Sequence, residues 1–567
     1  MATLTRNLFW GQGERSHRLE VVEGHWPDDV DGSVFVVGPD KRAPGGHWFA
    51  EPGLLEKIRL VPDASGRILV EHRRVDTTIA RIKRWLPFLF ARVQFAELSP
   101  FGVTNLANTN VLSLQDRLFL GYDAGRPVEV DPETMRFLTP VGANDEWLQC
   151  VPGLLEPLVA VAAHPAADVE EGCLWFVNYT QISAPDEAAE THLARWDLDG
   201  PVRRWRVAGM SPFDSIHDVK VTSDHIVFAD LPFHVEPGMI RGEPRTERNQ
   251  DHTKLWIVAK ADVAATPPGG TVRALEVRIP MPTGHLFVDH DEVDGHVRVV
   301  LQHIPLGDLL LTMTRETVDH RNQQAIDPAY EGLIAQGMQP SVVGAYEIHP
   351  VTGTVRSAEL AYDEQRAWGG LLLTSDVVRP AARARHRQVW YAGMGFDPDL
   401  VPEDWWALYG DATDGLVAPA DLPPDAIPGS LARVELESMK VAEVWSFADG
   451  AFPSPPTFVP RRGSDDPDDG YVVVVVHRDG AKEVQVFDAA HVGEGPLARA
   501  TAPRFNPPLL LHSCWAPDRS GPRPSRYRVG VGRDAWGALR GAPGTLWRLL
   551  RAGKAMTDAA RADGQGR

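Results

Sequence analysis

Short runs of β-branched and aromatic residues recur along the whole chain, and very little of it has the period of an amphipathic helix. The clearest runs are RLFLGY from Arg117, CLWFVNY from Cys173, HIVFADLP from His225, HVRVVLQH from His296, QVWYAG from Gln388 and YVVVVVH from Tyr471. Runs of this length and composition, separated by Gly, Pro and Asp clusters such as RRGSDDPDDGY, read as strands joined by turns. Helical spacing is confined to the neighbourhood of residues 320 to 340 and to the tail. An all-β architecture follows, and for 567 residues a propeller or a pair of sandwiches are the candidates. No WD or kelch period is visible, so internal repetition does not choose between them.

Pro and Gly are spread evenly, with no long Ser/Gly linker. This favours one domain over residues 1–552 and a polar, frayed tail at 553–567. The formal net charge of -20 opposes binding to nucleic acid, which needs clustered cations to neutralise phosphate. Cys150, Cys173 and Cys514 stand far apart with no CxxC, against a disulfide framework or zinc ribbon and in favour of a cytoplasmic setting. The N-terminus has no apolar h-region, and no 18-residue apolar stretch exists. One segment, residues 81–95 (RIKRWLPFLFARVQF), sets basic residues around Trp85, Leu86, Phe88, Leu89 and Phe90. It reads either as a buried helix or strand pair, or as an apolar lip for peripheral membrane contact or entry of an apolar substrate.

Walker A, GxSxG, HExxH and GxGxxG signatures are all absent. What remains is a set of histidines at the edges of β runs. His164 and His217 each stand ahead of a strand, His217 in the loop before HIVFADLP, while His285 and His512 lie in PTGHLFVDH and PPLLLHSCWAP. In a propeller the innermost strands converge on one axis, so residues this far apart in sequence can meet. Imidazole suits Fe, Zn, Cu and Ni alike, so the histidines do not fix the metal. A calcium-dependent propeller hydrolase or lactonase is disfavoured, because that ion prefers oxygen ligands.

The order of further motifs resembles that of the carotenoid cleavage oxygenases. It begins with His47-Trp48-Phe49 and Gly53-Leu54, continues through ANTNV at Ala107–Val111, GYDAGRP at Gly121–Pro127 and DPET at Asp131–Thr134. It ends with AHP at Ala163–Pro165, IHD at Ile216–Asp218, PTFVP at Pro456–Pro460 and PPLLLHSCWAP at Pro507–Pro517. The resemblance implies a seven-bladed β-propeller with loops and short helices capping the metal-bearing face. It also implies Fe(2+) held by His164, His217, His285 and His512, with His290 a rival for the third position. Four neutral imidazoles would leave the ion its full charge and two open octahedral positions, with O2 as sole oxidant. The implied reaction is cleavage of a conjugated C=C bond of a carotenoid or apocarotenoid into carbonyl products.

The chain departs from that family where carboxylates support the ligands. Asp123 stands at the first such position, Thr374 at the second, with Asp376 two residues on as a substitute, and Pro455 at the third. A proline side chain accepts no hydrogen bond. Tyr122 occupies the place of the lysine expected in stilbene-cleaving relatives, which favours an apolar polyene over a stilbenoid. Tyr122, Trp85, Phe88 and Phe90 are candidate lining for a substrate tunnel. A silent carotenoid-binding propeller is the remaining alternative.

Overall fold

The computed structural model describes residues 4–9, 11, 13–93, 96–180, 189–236, 239, 244–335, 338–374, 383–448, 450–519 and 526–540. Each run read as a strand forms one: Arg117–Gly121, Cys173–Tyr179, His225–Leu231, Val297–His303, Gln388–Gly393 and Gly470–His477. Most of their residues are buried on both faces, which is why they read as near-continuous apolar runs rather than alternating ones.

The strands build antiparallel meanders that repeat along the chain. Ser215–Val221, His225–Leu231, His252–Ala259 and Leu275–Pro280 make one sheet in that order. Thr283–Val288, Val297–His303, Val342–Ile348 and Val355–Ala361 make the next, and Gly370–Thr374 opens a third. In these sheets the first strand lies innermost. Ala166–Asp168 touches Ser215–Val221, which touches Thr283–Val288, and His512–Ala516 touches both Asn110–Leu114 and Thr457–Pro460. The inner edges thus form a ring about one axis, the arrangement of a propeller.

The ring is closed by mixing the two ends of the chain. Ser16–Gly24 pairs with Ala498–Thr501 on one side and Ile68–Arg74 on the other, while Ser33–Pro39 pairs with His512–Ala516. All belong to one ten-stranded sheet. The apolar core sits between neighbouring sheets: Val227, Leu255 and Val277 of one meet Leu286, Val299 and Tyr346 of the next. Burying each such side chain contributes about 1.5–3 kcal/mol, so the sheets hold one another in radial register.

Long connections gather at the end of the ring where the inner strands begin. Trp48, Ile304, Tyr330, Leu333 and Leu400 cluster there with Leu509 and Leu511, next to His512. The expected helix at residues 320–340 does not form. Among the described residues the only helical element there is the 3-10 turn Pro328–Tyr330, set among turns and isolated bridges. Pro328 removes a helical N–H, Gly332 adopts a φ of +91°, and the apolar residues serve the capping cluster instead. Residues 531–540 are helical, and the tail expected at 553–567 lies outside the described residues.

Of residues 81–95, the structure describes all but 94 and 95. Thr78–Trp85 is a helix capped by Thr77, followed by a 3-10 turn at Pro87–Leu89 and the strand Ala91–Val93. It is not a buried element: Trp85 is 85% and Phe88 78% exposed. No helix among the described residues is long and apolar enough to cross a membrane.

Candidate metal centre

Three of the four singled-out histidines sit where an inner strand is broken or bulged, and the fourth begins one. His164 falls between Ala160–Val161 and Ala166–Asp168, and its backbone bridges to the neighbouring strand through His164 N to His217 O and Val219 N to His164 O, both 3.0 Å. His217 is not in a loop ahead of a strand, as its sequence context predicts, but inside Ser215–Val221, at a register shift between Ile216 and Asp218. A second shift between Thr283 and His285 precedes the third histidine, and His512 opens the closing strand. A bulge adds one residue to the strand and re-aims its side chains. Here the ladder is kept while the imidazoles turn inward.

The result is one cluster. Ring centroids of His164 lie 4.6 Å from His217, 4.8 Å from His285 and 4.4 Å from His512, and those of His285 and His512 are 4.7 Å apart. One nitrogen from each ring lies within 4.8 Å of the other three. Ligands on opposite sides of one ion at about 2.1 Å are roughly 4.2 Å apart, so the spread matches a single ion. His290 stays outside the cluster, its ring against Asp291 and Glu170 at 3.3 and 3.7 Å.

The nitrogens facing inward are free to coordinate. His217 Nδ1 donates to Asp123 Oδ1 at 2.8 Å, which turns its other nitrogen to the cluster. His285 Nδ1 lies 3.5 Å from Asp218 Oδ2. His164 Nε2 is buried with no hydrogen-bond partner, a state that costs about 1–3 kcal/mol unless something binds it. Burial, reinforced by the neighbouring imidazoles, holds His164 and His512 well below the usual histidine pKa. Burial also lowers His285, against the pull of Asp218. At His217 burial is outweighed by Asp123, and the pKa rises. A cluster held largely neutral and aimed at a common point is chemically suited to a divalent borderline cation.

The supporting groups differ from expectation in part. Asp123 supports His217, its backbone fixed by Val161 N to Asp123 O at 3.1 Å. Thr374 lines the cavity beside the cluster, and Asp376 lies outside the described residues. Among the described residues no hydrogen-bond partner reaches the His512 ring. Pro455 leaves that neighbourhood to Thr457 and Ser513, whose hydroxyls bond at 2.7 Å and tie the two strands together. Asp218 and Lys220 were not legible as site residues. The only hint was that Asp218 follows His217, and in a regular strand it would have pointed away.

The cavity, of about 120 Å³, continues from His164, His285 and His512 along the axis, past Ala166, Val221 and Phe287 to Arg383 and His386. Tyr122 is buried but does not line it, and Trp85, Phe88 and Phe90 lie elsewhere, in the exposed segment.

Residues 10–517 match the family described as retinal pigment epithelial membrane protein. Apocarotenoid-15,15'-oxygenase of Synechocystis sp. is 22% identical over 529 residues, covering 89% of this chain and 94% of that one. Carotenoid cleavage dioxygenase 8 homolog B of Oryza sativa subsp. japonica is 24% identical, covering 88% and 82%. Among solved structures, the lignostilbene dioxygenase of Pseudomonas brassicacearum superposes with a TM-score of 0.60 at 19% identity, over 90% of this chain and 98% of that one. That likeness is one of fold.

Proposed function

The chain belongs to the retinal pigment epithelial membrane protein family of carotenoid oxygenases, and from that membership we propose a ferrous-iron dioxygenase that cleaves a conjugated C=C bond of a carotenoid or apocarotenoid. The reading is carried by the convergence of His164, His217, His285 and His512 around the unpartnered, buried His164 Nε2. When bound there, Fe(2+) would supply the activation of O2 needed to convert one double bond into two carbonyl groups.

The chain's own residues then have three tasks. Asp123 holds His217 in the tautomer that presents Nε2 inward. Burial keeps His164, His285 and His512 neutral, so their lone pairs are available without loss of a proton. The capping connections around Trp48 and Tyr330 exclude bulk water from the end of the axis where the histidines sit. Counting the ten-stranded sheet as two blades, and leaving out the small three-stranded sheet that begins with Ala91–Val93, would give seven around the axis, in one domain that would span residues 1–552.

Substrate uptake would draw on the segment from Arg81 to Phe90. Exposed Trp85, Leu86 and Phe88, with Arg81, Lys83 and Arg84 beside them, suit a lip resting on a bilayer interface where an apolar polyene is dissolved. Phe90 and Tyr122 would line the inward path. Tyr122, in the position where a stilbene-cleaving relative is expected to carry lysine, favours the polyene over a stilbenoid.

The test is metal analysis of protein purified without chelators, followed by reaction of the iron-loaded protein with polyenes and stilbenoids under labelled oxygen. Iron near one per chain and labelled aldehydes from a polyene support the proposal. Stilbenoid products alone shift the substrate class, bound pigment without cleavage indicates a silent binding protein, and calcium in place of iron overturns the metal assignment.

A further inference from the structure

The bulge in Ser215–Val221 does more than aim one imidazole. Because an extra residue is accommodated between Ile216 and Asp218, the consecutive side chains of His217 and Asp218 both reach the axis, where a regular strand would present only one. His217 joins the cluster from its own sheet. Asp218 crosses to the next sheet, where its Oδ2 accepts from Leu286 N at 3.2 Å and lies 3.5 Å from His285 Nδ1.

Asp218 is 3% exposed, and a buried carboxylate needs compensation. Lys220, two residues on and therefore on the same side of the strand, supplies it by donating to Asp218 Oδ1. The ammonium is itself held over the Phe287 ring, 5.8 Å from its centroid. Both carboxylate oxygens are thus committed, one to Lys220 and the other to the strand that carries His285. The geometry leaves Asp218 little freedom to do anything but orient that ring.

We propose that Asp218, clamped by Lys220, is the positioning residue for His285: it accepts the Nδ1 proton and fixes the tautomer that presents Nε2 to the metal. The proposal rests on the metal-centre reading and deepens it. It also makes two ligands on adjacent sheets interdependent, since one bulge sets both His217 and the support of His285. Loss of such a supporting acceptor typically weakens metal binding about 10- to 100-fold.

The experiment is titration of the metal-free, full-length protein with Co(II), followed by visible absorption, whose ligand-field bands report coordination geometry directly. Asp218→Ala should bind Co(II) about 10- to 100-fold more weakly with shifted bands, and Asp218→Glu should recover part of the affinity. Lys220→Met should fall between wild type and Asp218→Ala. If Asp218→Ala does not fold, as judged by circular dichroism, the Lys220→Met and Asp218→Glu comparison decides alone. Wild-type affinity and an unshifted spectrum in the folded variants overturn the positioning role while leaving the metal centre standing. A wild-type protein that takes up no Co(II) overturns the metal-centre reading, and this inference with it.

Discussion

Two groups of buried histidines in this molecule have opposite designs. On the axis, four rings turn one nitrogen each toward a common point. At the closing sheet, His72 and His477 are buried and His17 half-buried, and although the rings of His17 and His72 meet edge-on at 6.0 Å, the three are not gathered on a common point. His72 Nε2 meets Glu56 Oε2 at 2.6 Å, His17 lies edge-on to Phe505 at 5.5 Å, and His477 sits 6.4 Å from Phe452. Lys482, buried among them, donates to the carbonyls of Pro507 and Leu8. The contrast shows that burial of imidazoles does not make a metal site. What matters is whether the lone pairs left over after the second nitrogen is satisfied converge.

The largest effect expected from this contrast is all-or-none. His512→Ala or His217→Ala should abolish metal retention with the fold intact, measured by metal analysis alongside circular dichroism, while His72→Ala should retain a full complement. Full metal content in either axial variant would erase the distinction. His72→Ala should act on stability instead. Stripping a buried carboxyl group of its partner costs about 3 kcal/mol, read as a lower denaturant midpoint.

Asp123→Asn is the next step down. The amide oxygen still accepts from His217 but without charge, so metal affinity should fall about 10-fold, and the apo protein should unfold as the wild type does. An unchanged affinity would mean that backbone geometry alone orients His217. Independent of the metal is the pH response of the closing sheet. Burial depresses Lys482 to about 7, below its unfolded value near 10.4. Between these values the unfolded chain binds the extra proton, so stability should rise with pH through that window and be lost as pH falls to 7. Lys482→Met should remove up to about 1.4 kcal/mol of stability change per pH unit there, visible in denaturant midpoints from pH 7 to 10.

How much of this was legible in the sequence follows from the range of the forces involved. Strands such as Cys173–Tyr179 and Gly470–His477 announced themselves because burial on both faces selects unbroken apolar residues. The four histidines were legible through motifs in order, and His285 over His290 through spacing. Asp218 was not, because a bulge is set by how two strands pair, which no local pattern records. The 320–340 region misled for a related reason: Ile326, Tyr330 and Leu333 have helical spacing, but their burial is decided by Leu8 and Trp48, far away in the chain. The segment around Trp85 and Phe88 left two readings open, a buried element or an exposed lip, because an apolar run carries no local sign of which side of the surface it takes; the structure exposes both rings.

The pairing of Ser33–Pro39 with His512–Ala516 bears on how the protein is made. The strand Ser33–Pro39 leaves the ribosome early, and His512, the last of the four clustered histidines, follows only after the rest of the ring has been made. Until then a nascent chain can offer at most three of the four imidazoles, along with an unpaired strand edge. Metal loading should therefore be a late event that marks finished molecules, and truncated products should remain both empty and prone to stick to one another along that edge.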